Sequence, residues 1–176
     1  SNKLMKTISD TKNPSGVLGI SKLSSPPEMN LDSKRWIYLY KISDPGNLGT
    51  ILRSATWFNI KNIALSKDST DPYSPKTIRS AAGAHPHLNI YQEVDYKTYL
   101  GYNYFLLGAD QNSDNNLESS DYNKKIVLFL GNESDGINVS IKKKLDKLIS
   151  IERLGHGESL NVAIAGSIIM NDLAIK

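Results

Sequence analysis

The sequence predicts an α/β fold built on a largely parallel sheet, on three observations. Two uninterrupted apolar runs of strand length, Arg35 to Ile42 and Ile126 to Leu130, have the composition of strands covered on both faces. Between Leu48 and Phe58 the apolar spacing switches to helical, with Leu48, Ile51, Leu52, Ala55 and Phe58 on one face. Strand-length and helix-length segments then alternate to the end of the chain, the pattern of βα units.

With 176 residues the chain fits one domain with a real core, and 39% hydrophobic and 22% charged residues are ordinary for a soluble globular protein. The formal charge of +3 is too small for a whole-chain field, so any nucleic-acid contact must come from a local patch of Lys and Arg. Absence of cysteine excludes disulfides, thiolate metal sites and a Cys nucleophile, and three scattered histidines do not suggest zinc. No apolar run approaches membrane-spanning length and no signal-peptide core is present, so a soluble, intracellular protein without membrane contact is expected. The chain opens on Ser1-Asn2 without an initiator Met, so a longer native chain is also expected.

In order, residues 1–33 have linker composition, with a candidate edge strand at Val17 to Ile20. The strand at Arg35 to Ile42 ends in the turn signal Asp44-Pro45-Gly46-Asn47, and a helix starts there. On that helix Arg53 falls opposite the apolar face with Trp57 one turn on; the pair reads either as an Arg stem resting on a Trp or as a partner surface. Asn62 to Ser66 reads as a strand, Pro75 to Ala84 as a short helix with Pro in its first turn, and Leu88 to Val94 as a strand. His85 and His87 read as loop surface. Asp95 to Tyr102 is a weak helix, Tyr104 to Gly108 a strand, and Ala109 to Lys125 a polar connection. After Ile126 to Leu130, a helix is expected at Val139 to Leu148 with its lysines on a solvated face. A last strand at Ile149 to Ile151 precedes a polar loop and an apolar, buried helix. Small residues Ala163, Ala165, Gly166 and Ser167 would let another element approach that helix closely.

Ligands of such sheets collect where loops leave the carboxyl ends of strands, and three loops there are rich in Gly, Asn and carboxylate. No GxGxxG or GxxxxGK[ST] cradle is present, and Ser159 lacks a nucleophile elbow. A Mg²⁺ site from Asp44, Asp110, Glu133 and Asp135 has only loop carboxylates to recommend it.

The segments DPGNLGTILRSATWFNI (44–60), LFLGNESDGI (128–137) and ISIERLGHGESLNVAIAG (149–166), in this order, resemble the SpoU-type (TrmH-like) branch of the SPOUT RNA methyltransferases. IRSAAGAH at Ile78 to His85 resembles a further, less decisive segment, and the likeness runs from about Val17 to the end. It implies a catalytic domain at 34–176 with a C-terminal trefoil knot, and a linker or remnant of an N-terminal region at 1–33. S-adenosyl-L-methionine would bind bent in the knot, and a homodimer would transfer its methyl group to a ribose 2′-OH of rRNA or tRNA, without metal. Connection rules make threading exceptional, so the knot rests on the resemblance alone.

By residue, the resemblance assigns Arg53 to activating or placing the 2′-OH and Asn47 to orienting it. Glu133 would order the loops and orient Arg53. Leu130, Gly131, Asn132, Ile151 and Leu160 would line the cofactor pocket with their main chain, Gly131 allowing close approach. Ser159 and Asn161 would stand near the reacting groups, Ser159 also serving as a helix cap. Because Arg stays protonated at neutral pH, its role is best stated as binding phosphate or hydroxyl. Glu152, Arg153 and Asn59 depart from the family pattern; Asn59 is mild because Asn tolerates left-handed geometry. Base methylation, and a non-catalytic RNA-binding subunit of the same fold, are the alternatives.

Overall fold

The computed structural model describes residues 2–9, 13, 14, 16–23 and 25–175. Six strands, β1 (Arg35–Leu39), β2 (Asn62–Leu65), β3 (Asn89–Tyr91), β4 (Phe105–Ala109), β5 (Ile126–Leu130) and β6 (Lys147–Ile149), form one sheet in the order β3-β2-β1-β5-β4-β6. Every neighbouring pair is parallel, as the apolar runs predict. The helices are α1 (Asn2–Ile8), α2 (Pro45–Trp57), α3 (Pro75–Ala81), α4 (Val139–Lys142) and α5 (Val162–Ile175). None of the described helices is long and apolar enough to cross a membrane.

Strand residues alternate between two cores, as the period of two requires. Ile37, Leu39, Ile63, Leu65, Leu128 and Leu130 meet the apolar sides of α2 and α5. Trp36, Tyr38, Ala64, Val127 and Phe129 face an aromatic layer completed by Tyr91, Tyr99 and Tyr104. Tyr99 sits edge-on to Trp36, Tyr38 and Tyr104 at centroid distances of 5.6, 6.0 and 5.9 Å.

Local chemistry sets the limits of α2. Asp44 caps its start by accepting the Asn47 N–H at 2.8 Å, and Pro45 occupies the first turn. At its end the Asn59 and Ile60 N–H groups return to Thr56 O (3.2 Å) and Ala55 O (2.9 Å), with Asn59 left-handed at φ 55°. That is a Schellman ending with Asn in place of Gly, which is why Asn59 is tolerated.

Several sequence expectations are overturned. Val17 to Ile20 forms no strand, and Val17 and Ile20 lie 81% and 93% exposed. The weak helix at 95–102 is a 3-10 turn over Tyr96–Tyr99. The helix expected to run to Leu148 stops at Lys142, and the last strand is Lys147–Ile149 rather than 149–151. Pairing with β4 decides this: Leu106 and Asp146 exchange hydrogen bonds, Asp146 N–H to Leu106 O at 2.9 Å and Leu106 N–H to Asp146 Oδ2 at 2.7 Å. Sheet capture outweighs the local helical pattern. Nor is α5 buried all round, since Ile164 and Ile168 are 52% and 39% exposed.

The connection between β4 and β5 is anchored by Asp121, whose side chain is 4% exposed. Its Oδ1 accepts Lys124 at 2.7 Å; its Oδ2 accepts Lys147 at 3.0 Å and the Glu118 N–H at 3.1 Å. Burial opposes ionisation, but the hydrogen bonds from Lys124, Glu118 and Lys147 outweigh it and hold the carboxyl down at about 2. A folded-state value below the ordinary 3.8 contributes stability above pH 4, and this is lost as the pH falls through 2. Asp121→Asn is therefore expected to lower stability by roughly 2 kcal/mol at pH 7, with the difference from wild type closing toward pH 2 in urea titrations. Equal stability of the two proteins at pH 7 would contradict this.

Candidate active site

The strand order reverses direction between β1 and β5, the switch point at which open parallel sheets bind ligands. There the two departing chains are stitched together. Tyr40 N–H donates to Leu130 O at 2.8 Å, and Asn132 Nδ2 donates to Lys41 O at 2.8 Å. Lys41 is left-handed at φ 53°, a conformation costing a non-glycine residue about 1 kcal/mol, and its own N–H is fixed by Ser66 Oγ at 2.8 Å. This bend turns the chain so that Ser43 and Asp44 face the loop after β5.

That loop doubles back on itself, with Gly136 N–H on Asn132 O at 2.9 Å. A Cβ on Gly131 would lie 2.3 Å from Gly136 C and 2.4 Å from Ile137 N. The glycine is thus demanded by the loop's own crossing, which leaves no room for a side chain.

Glu133 leaves this loop and fills its oxygens with donors from the loop after β1. Oε1 accepts Asn47 Nδ2 at 3.0 Å and Asp44 N–H at 3.4 Å; Oε2 accepts Ser43 Oγ at 3.1 Å and Ser43 N–H at 3.5 Å. Partial burial opposes ionisation, but these bonds prevail and hold the carboxyl below its ordinary value. Glu133 does not touch Arg53, so the expected charge-assisted contact between them is corrected: its partners are Ser43, Asp44 and Asn47.

Asn47 passes the connection on, because its Oδ1 accepts Asn161 Nδ2 at 2.9 Å. Asn161 Oδ1 caps α5, accepting Ala163 N–H at 2.9 Å and Ile164 N–H at 3.4 Å. Helix-end N–H groups can only donate, so Asn161 must turn its oxygen to them and its NH₂ to Asn47. Asn47 must then turn its own NH₂ to Glu133. The three loops are locked by one directed chain of amides. Asn161, not Ser159, is the cap; the Ser159 side chain makes no hydrogen bond to a described residue.

A cleft of about 1120 Å³ opens beside this chain. Leu130, Gly131, Asn132, Ile151 and Leu160 all line it, as do Glu133, Ser159 and Asn161. Asn47 stands at the rim through its bonds to Glu133 and Asn161. Arg53 is not on the lining. It projects from the outer side of α2, exposed, six residues and roughly 9 Å of helix rise beyond Asn47. From Ile151 to Leu160 no main-chain N–H donates to any described residue. The far wall is therefore a strip of free main-chain donors, suited to reading a polar heterocycle by backbone alone. Arg153 ties this strip to itself, donating to Gly157 O at 2.8 Å, while Glu152 is exposed.

Sequence reasoning raised Asp110 only as a loop carboxylate for Mg²⁺ and missed the opposite wall that it forms with Gln111 and Asn112 after β4, where Asp110 Oδ2 meets Lys142 at 2.6 Å. The signal available was position, since these residues follow the carboxyl end of a strand. No group of three or more His, Cys, Asp or Glu among the described residues could hold a metal ion.

Comparison with known proteins identifies the family and the fold. Residues 34–171 match the model of the SpoU rRNA Methylase family. The 23S rRNA (guanosine(2553)-2'-O)-methyltransferase of Bacillus subtilis is 26% identical over 171 residues, covering 94% of this chain and 67% of that one. The 23S rRNA (uridine(2479)-2'-O)-methyltransferase of Streptomyces viridochromogenes is 28% identical over 137 residues, covering 73% of this chain and 48% of that one. An rRNA methyltransferase from Sinorhizobium meliloti superposes with a TM-score of 0.86 at 27% identity, over 98% of this chain and 69% of that one. An AdoMet-bound rRNA methyltransferase structure from Sinorhizobium meliloti gives 0.73 at 28%, over 79% and 55%. The chain spans between about half and two thirds of the length of the curated relatives it matches. With the family match extending over most of its length, the chain belongs to the SpoU rRNA methylase family.

Proposed function

We propose that the chain is the catalytic domain of an S-adenosyl-L-methionine-dependent methyltransferase acting on a ribose 2′-OH of structured RNA, rRNA or tRNA. The observation that carries this reading is the cleft wall of unpaired main-chain donors at Ile151 to Leu160, held against the loop after β5 by Glu133, Asn47 and Asn161. The residues fit the cofactor. The wall offers backbone groups to a purine, and Leu130, Val162, Ala165 and Ile169 give the cleft an apolar floor. When bound, the cofactor supplies an electrophilic methyl group on a sulfonium.

What this chain adds is placement. A hydroxyl attacking a methyl group must lie in line with the bond being broken, so positioning is the main requirement. Arg53 donates to the hydroxyl or an adjacent phosphate and so places the nucleophile, and the hydroxyl's proton passes to that phosphate or to water as the methyl group is transferred. Ser159, with an uncommitted hydroxyl at the cleft edge, is left to meet the substrate. Both ends of the Asn47 amide are committed to Glu133 and Asn161, so Asn47 acts by holding the loops and not by gripping the ribose. The same reading includes threading of the segment from β6 to α5 as a trefoil knot, and no metal in the reaction.

A homodimer belongs to this proposal. On α5, Ile164, Ile168 and Ile175 are 52%, 39% and 67% exposed, an apolar stripe with no cover in one chain. The helix packs on α2 through Ser54 and Ser167 at 2.7 Å.

Two outcomes are expected. Arg53→Ala should cut methyl transfer roughly 100-fold while leaving the cofactor's Kd within about twofold by calorimetry. The product, digested to nucleosides, should carry its methyl on ribose; unchanged transfer, or a methyl on the base, would contradict the assignment. Ile164→Glu should convert a dimer to a monomer in light scattering after size exclusion, whereas a wild-type monomer would remove the dimer from the account.

A further inference from the structure

The family reading leaves open which surface of this chain holds the RNA. The lysines near α4 are the obvious candidates by sequence, yet the structure neutralises two of them. Lys142 is paired with Asp110 at 2.6 Å, and Lys147 with Glu118 at 2.8 Å and Asp121 at 3.0 Å. Lys124 and Lys125 are spent on Asp121 and Asp32. Little net positive charge remains on that side.

Charge is distributed otherwise on α2 and α3. Neither Pro45 to Lys67 nor Pro72 to Gln92, stretches of 23 and 21 residues, contains an Asp or Glu, although the chain has 18. At the chain's average density, about four would be expected there, so the layer built by these segments is positive by exclusion of carboxylates. Its bases are Arg53, Lys61, Lys67 and Arg79, all exposed, together with Lys76, which is paired with Asp44. Of the four arginines, Arg35 donates to the carbonyls of Tyr122, Lys124 and Lys34, and Arg153 to Gly157 O. The guanidinium groups of Arg53 and Arg79 have no partner among the described residues.

The two helices bring these groups to one face. Lys76 reaches Asp44 at the start of α2 at 2.9 Å, and a Cβ on Gly49 would stand 2.3 Å from Ser80 Cβ and 2.6 Å from Thr77 O. The helices therefore lie in near contact and run in the same sense, 44–46 beside 76 and 49 beside 80. Taking 100° per residue, Arg53 and Trp57 point away from the core side of α2 occupied by Leu48, Ile51, Leu52 and Ala55. Arg79 likewise points away from the buried Thr77 and Ala81 of α3. Trp57, 84% exposed, ends the strip, with its indole face open to stack.

We propose that this α2–α3 face is the RNA-docking surface: Arg53 and Arg79 bind backbone phosphates, and Trp57 stacks on an unpaired base beside them. Docking here leads the strand along α2 toward Asn47 and the cleft, roughly 15 Å of helix rise from Trp57. The inference rests on the RNA methyltransferase reading above and specifies where its substrate lies.

The test uses the whole chain and a short fluorescein-labelled RNA hairpin with an unpaired loop, with anisotropy followed across a range of KCl. Arg79→Gln is expected to weaken binding about fivefold and lower the slope of log K against log salt by about one. Trp57→Ala is expected to weaken binding about tenfold with the slope unchanged, because stacking releases no counterion. Lys143→Gln with Lys144→Gln should leave both quantities as in wild type. The surface is overturned if Arg79→Gln leaves the slope unaltered, if the Lys143 and Lys144 changes lower it equally, or if wild type shows no salt-dependent binding. A change in oligomeric state on Arg79→Gln would assign the face to protein contact and overturn it too. Calorimetry with S-adenosyl-L-methionine separates the two readings. RNA binding through this face without cofactor binding supports the surface and contradicts the proposed function. Cofactor binding with RNA affinity indifferent to Arg79 contradicts the surface alone.

Discussion

The hydrogen-bond chain from α5 through Asn161 and Asn47 to Glu133 is the constraint on which the site depends. It joins residues 114 and 86 positions apart in sequence, and its direction is fixed at one end by a helix that can only donate and at the other by a carboxylate that can only accept. Neither amide can flip without leaving a donor facing a donor or an oxygen facing an oxygen. Each neutral bond contributes only about 1 kcal/mol, and those to the carboxylate somewhat more. The larger effect is geometric: the loops after β1 and β5 and the start of α5 keep one relative position, and the cleft keeps its walls.

The sheet supplies what this chain cannot. Parallel pairing of β1 with β5 delivers two loops to one point, and the left-handed turn at Lys41 aims the first at the second. Gly131 lets the second fold back so closely that a side chain has no room. Gly166 performs a related service on α5, where a Cβ would stand 2.6 Å from Leu130 Cδ1. A cleft made in this manner can leave the main-chain donors from Ile151 to Leu160 without partners among the described residues while the surrounding fold holds.

Much of the fold was legible because burial is written in local pattern. The runs at β1 and β5 read as covered strands, the spacing of Leu48 to Ala55 read as the inner face of α2, and Asn59 proved left-handed as its residue type allowed. What failed was decided by distant partners. The periodicity of Val139 to Leu148 is overruled by pairing of Lys147–Ile149 with β4, and the exposed isoleucines of α5 look like core to any periodicity argument. In the site, strand ends located Leu130 to Asn132 and the loop before α5. Which polar residue caps α5, and what Glu133 holds, depended on contacts between loops far apart in sequence. Asp110 followed a strand end too, but in a long polar connection where nothing local set it apart.

We infer that S-adenosyl-L-methionine closes the open strip of main-chain donors at Ile151 to Leu160. Hydrogen exchange followed peptide by peptide, with and without the cofactor, tests it most directly, since amides without partners exchange fast and ligand-bound amides do not. Rapid exchange is expected across Ile151 to Leu160 in the free chain and marked slowing there when cofactor is added, with β1 and β5 protected throughout. Slow exchange in the free chain, or no change in this strip on saturation with cofactor, would contradict it.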